Sequence, residues 1–200
     1  MSLVCSARLP SSKKFTPPAK ESKCIREAVV HWWTHVVTCP CGQRALPTRI
    51  LTVGKTRSTG VQLLVDEYSE KLKCYLSVEV LQIRSNPKKA QDTAAQIREE
   101  DNAVMSTIGS NDWVILLDER GNEIRSEEMA ELIARAGNTG ASRLSFCIGG
   151  PYGHGPQLRE RANVSIRLSS MVLNHQIALL VLIEQIYRAW TILKGQKYHH

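Results

Sequence analysis

No apolar run in the chain is longer than Ile177–Ile183, "IALLVLI", which Glu184 ends. A membrane-spanning helix needs roughly 20 such residues, so no membrane partner is expected. The chain also lacks a paired CxxC. Its six cysteines are Cys5, Cys24, Cys39, Cys41, Cys74 and Cys147, and the one close pair is the "CPC" of Cys39 and Cys41. Structural zinc sites use paired ligands at fixed spacing, and neither these cysteines nor His154, His199 and His200 supply one, so no metal is expected. Isolated cysteines fit a reducing compartment better than a secreted disulfide scaffold. No GxxxxGK[ST] occurs, no GxGxxG follows the first strand, and no GxSxG elbow is present. These absences argue against P-loop, dinucleotide-binding and serine-hydrolase chemistry.

Acidic residues are scarce at one end. Residues 1–48 carry seven Lys/Arg against Glu21 and Glu27, a surplus of five that leaves only +2 of the chain's +7 to residues 49–200. The body is thus no generic polyanion binder, and a nucleic-acid site in it must be a local patch. The Ser/Lys/Pro-rich start, "MSLVCSARLPSSKKFTPPAKESK", has the composition of an organelle transit peptide, the alternative being a disordered tail with no address. We divide the chain into this leader, 1–48, and a folded domain, 49–200.

What is present from Arg49 onward is a regular alternation. "RILTVG", "LSVEVLQI", "DWVILL", "RLSFCIGG" and "VSIRLSS" read as strands, the third stopping at the acidic turn "DERG". Between them "GVQLLVDEYSEKLKCY", "KAQDTAAQIREEDNAVMSTI", "SEEMAELIARAG" and the short "PQLRERAN" read as helices. Ser126 is the N-cap candidate of the third helix and Gly137 its end. "HQIALLVLIEQIYRAWTILKG" is a long final helix, apolar on every side and closed by Gly195. Strands alternating with helices predict an α/β fold, a mainly parallel sheet with helices on both faces. The most apolar strands, ending at Leu117 and Ile148, are expected at its centre.

Ligands of open α/β sheets bind beyond the carboxyl ends of strands. Three loops qualify: "LDERG", "IGGPYGHG" and "SSMVLNHQ". Taken alone, "FCIGGPYGHG" (146–155) fits both a packing turn and a loop that meets a ligand by backbone contact. In the last helix Glu184 and Arg188 stand at i and i+4, either as a pair that organises the interior or as a pair on an exposed stripe.

Together, "VILLDERG", "FCIGGPYGHG", "LSSMVLNHQ", "LIEQIYRAW" and the terminal "KGQKYHH" resemble the SPOUT-class methyltransferases of bacterial type, which methylate N3 of a pseudouridine in large-subunit ribosomal RNA. The resemblance runs from about Ile50 to His200 and omits the leader. It implies a deep C-terminal trefoil knot, a homodimer, and S-adenosylmethionine bound in the knot. Its cofactor contacts would be Leu117, Gly149 and Gly150, with Ser169, Ser170, Met171, Val172, Leu173 and Asn174 as the third wall. On this reading Gly150→Val fills space that the adenosine needs. The activated methyl requires mainly alignment, while the imide N3–H requires a base or charge stabiliser. By position the candidates are His199 and Tyr198 on the tail, His175 after the third loop, and Arg188 in the helix, with His199 preferred as proton acceptor. Arg188 has two readings, an RNA-phosphate contact and the ion pair with Glu184. Tyr152 and His154 have no assigned role, RNA contact being one option.

This sequence departs from the family at two places. The usual "PH" reads "NH" at Asn174–His175, and apolar "IALLV" around Leu179 replaces a basic residue. The expected function is methylation of organellar ribosomal RNA, chloroplast before mitochondrion or cytoplasm. The alternatives are a non-catalytic ribosome-binding or assembly factor that keeps the knot, and the same chemistry on another RNA.

Overall fold

A computed structural model of the protein describes residues 44–54, 57–86 and 92–196. The leader through residue 43, and the tail candidates Tyr198 and His199, lie outside them.

Five strands and five helices alternate: β1 (Thr48–Gly54), α1 (Thr59–Leu72), β2 (Val78–Arg84), α2 (Thr93–Met105), β3 (Asp112–Glu123), α3 (Ser126–Asn138), β4 (Arg143–Ile148), α4 (Pro156–Arg161), β5 (Val164–Arg167) and α5 (His175–Leu193). The strands form one sheet in the order β2-β1-β4-β3-β5, and every pairing is parallel. The central strand is β4, with β1 and β3 beside it, as its uninterrupted apolar character requires.

Alternation along these strands builds two cores. Ile50, Ile115, Leu144, Phe146, Ile148 and Ile166 face one side, where α1, α3 and α5 pack with Val65, Leu72, Met129, Ile133, Leu182 and Ile186. Leu51, Val53, Val114, Leu116 and Cys147 face the other, under Val104 of α2 and Leu158 of α4. Each fully buried Ile, Leu or Phe contributes about 1.5–3 kcal/mol relative to exposure. Helices cover both faces, as the alternation predicted. Leu46, ahead of β1, also belongs to the first core.

Helix α5 is long and apolar enough to cross a membrane by length and composition alone. It packs as a core helix on α1 and α3. Leu179, Leu182, Ile183, Ile186 and Trp190 are buried, whereas Ile177 and Ile192 are exposed, so it is not sealed on every side. Lys194 and Gly195 (φ +62°) close it.

Three details differ from expectation. Ser126 is the first residue of α3; the N-cap is Arg125, whose amide donates to Glu128 Oε2 at 2.6 Å. The Ser126 hydroxyl donates instead to Gln185 Oε1 of α5. Gly137 lies inside α3, where a side chain would strike the Arg44 carbonyl, and the left-handed residue after the helix is Gly140.

The third difference shapes the site. β3 does not stop at "DERG". Leu117 and Asn122 both pair with Ile166, and Glu123 pairs with Arg167. The register with β5 therefore shifts within β3, between Leu117 and Asn122. Asp118–Gly121 arch over Ile166 between the two. A Cβ on Gly121 would lie 2.5–2.7 Å from the backbone carbonyl carbon, nitrogen and oxygen of Ile166. Only glycine admits so close a passage.

Candidate functional site

The carboxyl ends of β1, β3, β4 and β5 open onto one cavity of about 750 Å³. That volume suits a small-molecule ligand. Its walls are the three loops that strand-end reasoning selects. Leu117–Arg120 supply the first, Ile148–His154 the second and Arg167–His175 the third, with Gly54, Ser85, Arg159 and Ala178 completing the lining. All nine residues expected at a cofactor, Leu117, Gly149, Gly150 and Ser169–Asn174, are therefore brought together.

The first two walls are locked by a closed circuit of polar contacts. His154, almost fully buried, places Nε2 at 2.9 Å from the Leu117 carbonyl. A carbonyl only accepts, so Nε2 carries the proton. The His154 carbonyl accepts from Arg159 Nε at 3.1 Å, and Arg159 pairs through Nη1 with Asp118 Oδ2. Asp118 adjoins Leu117 and accepts through Oδ1 from the Arg120 amide. Burial alone would raise the Asp118 carboxyl, but the Arg120 amide and the Arg159 guanidinium outweigh it and hold it below the ordinary carboxylate value.

Burial pushes the His154 imidazole below its ordinary value, against the Leu117 carbonyl and the Asp118 charge. The unfolded polypeptide then binds more protons on the acid side. This stabilising contribution is present above an unfolded pKa of about 6.5 and is lost as pH falls through it towards the folded value. Thermal denaturation should show a lower Tm at pH 5.5 than at pH 7.5. His154→Gln, which keeps an N–H donor for Leu117, should show a smaller drop.

Helix α4 is anchored from the opposite face. Asp101 of α2, buried, accepts from the Gln157 amide through Oδ2 (2.9 Å) and from the Leu158 amide through Oδ1 (3.0 Å). It thus caps a helix that its own Gly155 leaves without a side-chain cap. Gly155 must lack a side chain, because a Cβ would fall 2.3–2.5 Å from the Asp101 carboxyl and Cβ. The turn before it closes with Gly153 N donating to Gly150 O at 3.0 Å, Gly153 having φ +79°.

Gly150 behaves differently from expectation. A Cβ there points at Glu100 Oε2 (2.7 Å) and Val53 (3.2 Å). Gly150→Val would thus press on buried groups behind the loop rather than fill the cavity. The Gly149 position is bounded by Gly153 and His154.

The third wall is looser. Met171 and Val172 are 73% and 84% exposed, and the Ser169 hydroxyl accepts from the Met171 amide. Asn174 caps α5 by accepting from the Gln176 amide. His175 follows, lining the cavity, with Nε2 buried and without a partner among the described residues. Its ring packs where a Gly54 side chain would be, 2.5 Å from that Cβ position.

Of the four catalytic candidates, His175 is thus at the cavity, and Tyr198 and His199 lie outside the described residues. Arg188 is not part of the cavity lining; its Nε meets Glu184 Oε1 at 3.3 Å, half-buried, within α5. Leu179, where a basic residue was expected by resemblance, is buried in the main core. Sequence reasoning gave no role to Arg159, Glu100 and Asp101, reached Asp118 only as part of "LDERG", and left His154 unassigned. Tyr152 is exposed at the rim, whereas His154 faces inward. Among the described residues no group of three or more His, Cys, Asp or Glu could hold a metal ion.

Residues 46–199 match the family described as "Predicted SPOUT methyltransferase". The chain is 69% identical over 157 residues to an Arabidopsis thaliana protein that carries the name of an RNA methyltransferase, covering 78% of this chain and 81% of that one. It is 39% identical over 154 residues to the Ribosomal RNA large subunit methyltransferase H of Christiangramia forsetii, covering 76% of this chain and 98% of that one. With the protein of the same name from Geobacter sulfurreducens it shares 40% identity over 152 residues, covering 76% and 98%.

Proposed function

From the premise that this chain belongs to the SPOUT methyltransferase family, we propose that it transfers the methyl group of S-adenosylmethionine to N3 of a pseudouridine in large-subunit ribosomal RNA. The observation that carries this reading is the convergence of three strand-end loops on one cavity whose volume suits such a cofactor. The residues fit the group. Leu117, Ile148, Leu168 and Leu173 offer apolar walls, and Gly149 and Gly150 offer bare backbone. Beside them two buried polar atoms, Glu100 Oε2 and His175 Nε2, have no partner among the described residues.

In this reading Leu117, Gly149, Gly150 and Ser169–Asn174 hold S-adenosylmethionine, which supplies an electrophilic methyl group. The locked walls keep sulfur and nucleophile aligned, the main requirement of such a transfer. The N3 proton goes to His175 at the cavity wall or to the tail that carries Tyr198 and His199. The arch over Ile166 supports a trefoil knot at the C-terminal part of the fold. Exposed Met171, Val172 and Ile177 beside the cavity support a homodimer, in which a second copy covers the loose wall. The composition of residues 1–48 supports import into the chloroplast.

Calorimetry with S-adenosylmethionine, together with mass mapping of organellar large-subunit RNA from a null mutant, tests the reading. We expect micromolar binding and loss of one methylated pseudouridine. Absence of binding at millimolar cofactor overturns it. Binding with unchanged ribosomal RNA favours another RNA substrate or a non-catalytic role. His175→Ala should leave the cofactor Kd within about threefold and reduce turnover on the order of 100-fold or more.

A further inference from the structure

Glu100 of α2 is a carboxyl group with only half of its bonding accounted for. It is 3% exposed. Its Oε1 receives three donors: Ser85 Oγ at 2.7 Å, the Asn86 amide at 2.8 Å and Gln96 Nε2 at 2.8 Å. Asn86 has φ +48°, so part of what Oε1 does is hold a left-handed residue at the end of β2. Oε2 receives nothing, although it is buried. No cation among the described residues pairs with Glu100. A buried acceptor left unmet costs free energy, and a buried carboxylate costs more unless a cation or several donors meet it.

The position of Oε2 says where a partner would come from. The atom lies against Gly150 and Val53, 2.7 Å from where a Gly150 side chain would begin. Gly150 lines the cavity, as does Ser85, the donor to Oε1. Glu100 therefore sits behind the cavity's β1–β2 end, away from the apolar wall formed by Leu117 and Leu168–Leu173. Gly150 and Val53 are the neighbours of Oε2 on the side of the cavity, and Gly150 puts no side chain between the atom and the cavity.

We propose that Glu100 Oε2 is the anchor for the α-ammonium of the cofactor's amino-acid arm. This inference rests on the methyltransferase reading above and extends it to a residue outside the three loops. An ammonium brings both the positive charge and the hydrogen-bond donors that Oε2 lacks, whereas a neutral imide N–H brings only a donor. Adenosine then occupies the apolar end, and the arm runs along the glycine turn to Glu100. The three donors on Oε1 fix the orientation of the carboxylate before the ligand arrives.

The test compares ligands by calorimetry on the full-length protein. S-adenosylhomocysteine carries the ammonium, its deaminated analogue lacks only that group, and 5′-methylthioadenosine lacks the whole arm. On the unaltered protein, deamination should weaken binding about 10–100-fold, the range for a hydrogen bond to a charged group. Glu100→Gln should weaken S-adenosylhomocysteine by a similar factor and leave 5′-methylthioadenosine within about twofold. Equal binding of S-adenosylhomocysteine and its deaminated analogue to the unaltered protein overturns the proposal without recourse to a variant. It also falls if Glu100→Gln weakens both adenosine ligands equally, which marks a purely structural role, or if the variant binds normally and fails only in turnover, which assigns the carboxylate to the nucleobase. Failure of the unaltered protein to bind any of the three ligands sinks the methyltransferase reading itself, a result distinct from the others.

Discussion

Gly121→Ala is expected to destabilise the fold by about 3 kcal/mol or more, in the upper range for overpacking of a well-filled interior. The added Cβ would lie 2.5–2.7 Å from three backbone atoms of Ile166. A flexible side group rotates away from such a contact, but a paired strand cannot. Either the arch must lift off β5 or β5 must leave its register with β3. Both movements also pull Leu117 and Arg167 from the cavity, so ligand binding should fail along with stability. Urea denaturation measures the first effect and calorimetry the second. Gly60→Ala supplies the contrast. Gly60 is in the first turn of α1 with open space around its Cβ position, so alanine there should stabilise by about 0.5–1 kcal/mol. A Gly121→Ala protein as stable as the unaltered one would disprove the arch.

The second large effect is expected at Asp101. Asp101→Ala removes the acceptors of the Gln157 and Leu158 amides, and the Leu158 bond lies in the interior. Hydrogen bonds to a charged group contribute about 1.5–3 kcal/mol each, and unmet buried donors add their desolvation cost. We expect a loss of about 3 kcal/mol, with faster hydrogen exchange at those two amides. Asp101→Asn keeps the volume but sets an NH2 against one of the donors. It should lose at least half as much. The same result would separate capping from mere packing, because a packing role predicts a harmless Asn. Since α4 follows the glycine turn directly, cofactor affinity should fall more than tenfold in both variants; unchanged affinity would mean that the turn does not depend on its anchor.

Much of this molecule is readable from residue order. The apolar runs that end at Gly54, Leu117 and Ile148 are strands, and the loops after Leu117, Ile148 and Arg167 line one cavity. Periodicity suffices there because a strand covered on both faces can hardly be anything else. The arch is not readable. "DERGNE" has the composition of a turn, and its pairing with Ile166 depends on a strand more than forty residues away. Glu100 and Asp101 are hidden for another reason. In "QIREEDNAV" the charged residues look like a solvated helix face, and only packing of α2 against β2 and α4 turns two of them inward. His154 resembles a surface histidine on a turn until its partner, the Leu117 carbonyl, is in view. Backbone acceptors leave no mark in a sequence. Ser126 is displaced by one residue from the cap because Glu128 closes the helix through the Arg125 amide.

The two borders of the sheet have a consequence for solubility. A parallel sheet normally ends in two open edges, each a row of unpaired amides and carbonyls on which a second polypeptide can add a strand. Here β5 forms one border, and its pairing with β3 continues past the register shift to Asn122 and Glu123. Among the described residues the other border is β2, which carries Glu79, Gln82 and Arg84. Arg49 of β1 pairs across it with Glu79 at 2.9 Å. Such borders discourage strand addition, β5 because it is only four residues long and β2 because it is charged.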